Sequence, residues 1–182
     1  MDAPRIGRLG RDLGQYLRLF DDCFGRSEGR EHLRCYVGGQ VSALPRKCVE
    51  AIADEAGVPP RTLQDFLATH TWDHQRAVDR LQQTVAEHHH DEQAIGLIDE
   101  TSFAKRGDKT AGVQRQYCGS RGKVDNCVVS VALGYARLRG EFRCTLDHRL
   151  FFPQSWDRDR DRRREAGVPA DLRHKPKWKI AL

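Results

Sequence analysis

"LIDETSFAKRG" occupies residues 97–107. An apolar run climbs to Asp99; a second acid, hydroxyls, a phenylalanine and two cations follow. With the residues just before it, "AIGLID" (94–99) reads as a short buried strand that ends on the acid. Two roles fit Asp99 from the residues alone. It can bond turn amides or cap a helix at the strand end. It can also ligate Mg²⁺, a hard cation that takes oxygen ligands in fixed geometry, and the cations downstream suit a phosphate-bearing substrate. Glu100 points to the opposite face if the strand continues, so the two acids are poor partners in one site.

Outward from this stretch the chain divides. Downstream, "NCVVSVALGYA" (126–136) is a longer valine-rich strand, and "LRG" (138–140) can turn the chain. "EFRCTLDHRLFF" (141–152) places Phe142, Cys144 and Leu146 on one face at period two, and Pro153 stops it. "DRDRDRRREAG" (157–167) is a helix or a mobile loop. Upstream, apolar residues recur at helical spacing: Leu13, Tyr16, Leu17, Phe20 and Phe24; then Leu33, Tyr36, Val37, Val41 and Leu44. After Pro45 comes a short helix with Val49, Ile52, Ala53 and Ala56 on one face. Leu63, Phe66 and Leu67 mark another, and Thr71 can cap a last one carrying Val78, Leu81 and Val85. The fold class expected is α+β, with the helical half giving way to strands near residues 88–93.

"CVEAIADEAGVPPRTLQDFL" (48–67) has helix-turn-helix spacing: small Ala53 at the crossing, Gly57 in the turn, Leu63 and Phe66 packing back. Arg61 and Gln64 would face outward toward a groove, with Arg46 and Lys47 offering phosphate contacts before the first helix. An ordinary packed helix pair satisfies the same pattern.

Charge is uneven. Residues 1–98 carry 12 Lys and Arg against 15 Asp and Glu, whereas residues 99–182 carry 19 against 11. Six cations, Lys105, Arg106, Lys109, Arg115, Arg121 and Lys123, fall within residues 104–123 beside the single acid Asp108. Such an excess attracts polyanions, nucleic acid first, although a solvated surface also fits. No apolar run is long enough to span a membrane, and "MDAPRIGRLGRDLG" has no secretory h-region, so the expected location is the cytoplasm. None of the six cysteines forms a C-x-x-C pair, which leaves them as reduced, mostly buried residues. A zinc site from Cys118, Cys127, Cys144 and His148 would lack the usual close ligand pairing. The His88–His90 triplet is either a metal binder or a loop.

The ordered elements D-E-T-S-F, G-V-Q-R-Q-Y-x-G, G-K and N-C of residues 97–136 resemble the opening of the catalytic domain of bacterial insertion-sequence transposases of the DDE superfamily. The resemblance extends forward through "LFFPQSW" and back through "GRSEGREHLRCYVGGQVSALPRKCVEAIADEAGV". It implies a helical, helix-turn-helix-like DNA-binding region (1–90) followed by an RNase H-like endonuclease domain (91–182). That domain would open with a β-meander whose first strand carries the first catalytic carboxylate, Asp99. It further implies Mg²⁺ in a two-metal centre, double-stranded DNA at the terminal inverted repeats as partner, a homo-oligomer with the full-length transposase, and a nucleoid-associated bacterial location. Lys105, Arg106, Arg115 and Lys123 become candidate DNA contacts. Gln114, Gln116 and Tyr117 either hold DNA or stitch strands together. The family pattern continues past Leu182, so the second Asp and the Glu are expected to be missing: Asp147, Asp157, Asp159 and Asp161 do not fit their places. The expectation is therefore an incomplete, truncated domain, inactive alone, or a regulator that binds DNA without cleaving it.

Overall fold

The structure is a computed structural model that describes residues 8–140 and 142–181. The leader reading of residues 1–7, Glu141 of the third strand, and Leu182 lie outside the described residues. The fold is α+β: helices first, then a small antiparallel sheet, in two compact units divided between Gln83 and Thr84.

The first unit holds α1 (Leu9–Arg18), α2 (Ser27–Val41), α3 (Val49–Glu55), α4 (Pro60–Ala68) and the start of α5 (His74–His89). Ile52, Ala53 and Leu63 are fully enclosed, with Tyr36 and Leu44 packed against them. The α2–α3 approach is close because Gly39 has no side chain: a Cβ there would collide with Ile52. Gly57, at φ +67°, ends α3. It lets the Gly57 and Val58 amides reach back to Asp54 and Ala53, a turn that an L side chain would strain. Phe24 and Phe66 form a second cluster with Cys23. Four expectations change. Val41, Ala56 and Leu67 are exposed, because the inward stripes of their helices are already filled. The cap of α5 is Asp73, not Thr71. Its carboxylate accepts the Arg76 amide at 2.9 Å, while Trp72 stays outside the helix, stacked on Phe24.

The second unit is built on β3 (Lys123–Ala136). β1 (Ile95–Ala104) pairs along one edge of β3; β2 (Gln114–Cys118) and β4 (Arg143–Leu150) follow one another along the other, all antiparallel. A register shift at Leu133/Gly134 bends the β3–β4 pair. Cys127, Val129 and Val131 are buried, as the valine-rich run implied. β1 departs from expectation. It runs on to Ala104 and is exposed for most of its length, with Ile95, Leu97, Ile98 and Phe103 open to solvent. Its one described pairing partner is β3, so only one edge is covered.

The charged run 157–167 is ordered. α6 (Gln154–Arg158) and α7 (Arg160–Glu165) surround Trp156, which is wholly buried and donates its indole N–H to the Val113 carbonyl at 2.6 Å. Arg162 lies over the Trp156 ring. Arg163 is itself buried, bonded to Asp157 (2.7 Å) and to the carbonyls of Pro169 and Leu172. A guanidinium can enter a core when its donors are used in this way. A short α8 (Lys177–Ile180) follows.

Candidate active site

Asp99 sits in the middle of β1, not at its tip, opposite Ala132 of β3. Alternation along β1, from the Lys105 N–H bonded to the Asn126 carbonyl, turns the Glu100 N–H toward the free edge. Asp99 Oδ1 accepts that N–H at 2.7 Å. This bond stabilises no turn and caps no helix, and the side chain is exposed.

The pleat sorts the neighbours. On the Asp99 face lie Thr101 and Phe103, then Ser130 and Ala132 of β3, then His148 and Leu150 of β4. These residues line a trough of about 380 Å³ beside Asp99. Glu100 is on the other face, opposite Val131, where Lys177 Nζ holds it at 2.5 Å. Asp147, opposite Leu133, also faces that way and is bonded to Arg149. The other three candidate acids are engaged elsewhere. Asp157 binds Arg163, Asp159 caps α7 by accepting the Arg162 amide, and Asp161 pairs with Arg164.

The candidate DNA contacts form two groups, one per unit. In the helical unit all four are exposed. Arg61 is bonded to Asp65 at 3.0 Å and Gln64 to Glu50 at 3.1 Å. Lys47 bonds the Gln40 carbonyl at 2.7 Å and also that of Ser42, so it closes the C-terminal end of α2. Arg46 is simply exposed. In the sheet unit, Lys105 and Arg115 flank Asn126 of β3 from opposite edges, with Lys123 three residues earlier on the same strand and Arg106 in the loop after β1. Asn126 and Ala132 are six residues apart on β3, roughly 20 Å at strand rise. These cations therefore stand roughly six base pairs of duplex from Asp99. Gln116 donates to the Cys127 carbonyl at 3.1 Å and so stitches β2 to β3, whereas Gln114 donates to Gln116 on its own strand and accepts from Ser155 of α6. Tyr117 and Arg115 lie on the alternate pleat and are exposed.

A family model described as DDE superfamily endonuclease matches residues 19–182. The chain belongs to the DDE superfamily endonucleases. "Probable transposase for insertion sequence element IS701" of Microchaete diplosiphon is 31% identical to it over 122 residues, which is 66% of this chain and 32% of that relative. The chain thus spans about a third of the length of this curated relative. No solved structure matches it.

DDE superfamily endonucleases generally work with divalent metal ions. Among the described residues, no three His, Cys, Asp or Glu side chains converge. The sheet face around Asp99 offers one carboxylate among the described residues, the three hydroxyls of Thr101, Ser130 and Thr145, and the His148 imidazole, so the donor set does not make a two-metal centre. The zinc grouping fails as well. Cys118 and Cys127 share a buried cluster, but Cys144 and His148 sit on opposite faces of β4 and away from it. His89 of the triplet stacks flat on Phe142, and its carbonyl accepts from Tyr135, a packing role. His148 and Ser130 were missed as neighbours of Asp99. Period-two spacing alone does not place them, because the β3–β4 register shift decides which β4 residues meet Ala132. No described helix is long and apolar enough to cross a membrane.

Proposed function

We propose that this chain is the N-terminal portion of an insertion-sequence transposase. Asp99 supplies one carboxylate ligand for Mg²⁺ in phosphodiester cleavage and strand transfer on an RNase H-like domain (91–182), and residues 1–90 form a helix-turn-helix-like DNA-binding region. One observation carries this: Asp99 is held by a strand, is exposed, and serves no turn or cap, within a stretch that the family match covers. The partner is double-stranded DNA at the element's terminal inverted repeats, bound through Arg46, Arg61, Gln64, Lys105, Arg106, Arg115 and Lys123, with Lys47 contributing beside its capping role. The chain associates with full-length transposase at the bacterial nucleoid in the cytoplasm.

A second reading is favoured by the donor set. With one carboxylate on the Asp99 face, the chain binds without cutting and acts as a regulator of the element. Both readings require salt-sensitive binding to inverted-repeat DNA, because each phosphate neutralised contributes about 0.9 to the slope of log K against log salt. A gel-shift titration across salt concentrations tests this, and indifference to both salt and sequence would sink both. A Mg²⁺-dependent cleavage assay of the chain alone is expected to give no product. Cleavage that disappears in Asp99→Ala would replace the inactive-alone reading with a catalytic one.

A further inference from the structure

Cys118 and Cys127 lie in one fully enclosed cluster with Val129, walled by Ala104 and Phe151. Cys118 closes β2 and Cys127 belongs to β3, and the two side chains share that cluster. Cys127 Sγ is 3.8 Å from the Tyr117 carbonyl, the group bonded to the Cys118 nitrogen. Two hydroxyls attend Cys118. Ser120 Oγ is 3.2 Å from its sulfur, and Ser102 Oγ stands behind it, accepting the Ser120 amide at 3.1 Å. The cover is thin, because Gly119 and Ser120 at the hairpin tip are both exposed.

We propose that Cys118 and Cys127 form a redox modification site whose substrate is a hydroperoxide and whose product is an intrachain disulfide. The Cys118 thiolate attacks the peroxide oxygen, breaks the O–O bond and releases the alcohol or, from hydrogen peroxide, water. The resulting sulfenic acid is attacked by the Cys127 sulfur, and water leaves as the S–S bond forms. In all, two thiols and one hydroperoxide give one disulfide, one alcohol and one water, with both sulfurs oxidised and the peroxide reduced. The environments fit these roles. The hydrogen bond with Ser120 above all holds the Cys118 thiol below its usual range. Burial pushes the Cys127 thiol up and keeps it protonated until it is needed. The bond would tie β2 to β3 within the hairpin that carries Arg115 and Lys123. None of this depends on what the chain binds.

The test is a tryptic map of the intact chain after brief hydrogen peroxide, with free thiols alkylated before digestion. Cleavage at Arg115, Arg121, Lys123 and Arg137 places the two cysteines on peptides 116–121 and 124–137. The expected result is one linked species lacking two hydrogens, formed faster as pH rises through a range below that of an ordinary thiol. Cys118→Ser and Cys127→Ser should each abolish it. Should either variant fail to fold, the wild-type map decides alone. Overoxidised Cys118 beside alkylated Cys127, or a link between other cysteines, would overturn the proposal.

Discussion

β1 and the segment 151–173 belong to the same compact unit and the same family match, yet they are built in opposite ways. The segment is rich in charge and buries its key residues: Trp156 and Phe152 are enclosed, and Arg163 is carried inward on three acceptors. β1 is rich in apolar residues and leaves Leu97, Ile98 and Phe103 each more than half exposed. Composition therefore misleads in both places. Burial follows what surrounds a residue, and in this unit the tightly enclosed material is at the β2–β3–β4 side of the sheet. β3 is the one described strand that pairs with the strand carrying Asp99, and side-chain bonds from the Ser120 amide to Ser102 and from Lys177 to Glu100 add to it.

The largest effect should separate the two regions by stability. Trp156→Ala removes a fully buried indole and its hydrogen bond to Val113, and it should cost about 3–5 kcal/mol in denaturant unfolding. Leu97→Ala removes an exposed side chain and should cost less than about 1 kcal/mol. Equal costs would break the comparison. Next comes Arg163→Met, expected to cost about 2 kcal/mol, because the Pro169 and Leu172 carbonyls lose their donor. Asp157 keeps Arg173 at 3.5 Å, which limits the loss. A neutral result would make the buried guanidinium a passenger.

Amide exchange sharpens the contrast at single residues. Along β1, the amides of Leu97 and Asp99 face β3, whereas those of Gly96 and Ile98 face the free edge. The first pair should exchange more slowly than the second, and β3 from Cys127 to Val131 more slowly than either, read by hydrogen exchange with residue resolution. Uniform protection along β1 would mean that its outer edge is covered.

Much of this could be read from the residues. The α3–α4 pair, with Ala53, Gly57 and Leu63 in their expected places, follows from helical period and turn chemistry, which are local, although Phe66 packs on Cys23 and Phe24 and not back on α3. The valine-rich core of β3 was legible for the same reason. The exposure of β1 was not, because an apolar run reports the capacity for burial and says nothing of whether a neighbour is present. Nor was the burial of Arg163, where a run of alternating Asp and Arg looks solvated until Phe152, Trp156 and the Pro169–Leu172 carbonyls are known to surround it. For Asp99 the residue and its strand were legible. Its rank beside Ala132 and His148 depended on a register shift that leaves no periodic trace.

The smallest expected effect bears most directly on Asp99. Its carboxylate is exposed and bonds only the next amide, which stays on the free edge where water can replace it. Asp99→Asn keeps the shape and one acceptor, so the unfolding free energy should change by less than about 0.5 kcal/mol. The matching change at Glu100, Glu100→Gln, breaks a half-exposed pair with Lys177 and should also stay within about 1 kcal/mol, fading further as salt is raised. The two acids are adjacent in sequence and opposite in situation, since one is tied to a cation and the other is left open. A loss well above 1 kcal/mol in Asp99→Asn, larger than in Glu100→Gln, would give Asp99 a structural duty and weaken its assignment as a ligand. Near-equal, small losses would leave its place on the strand without a folding reason.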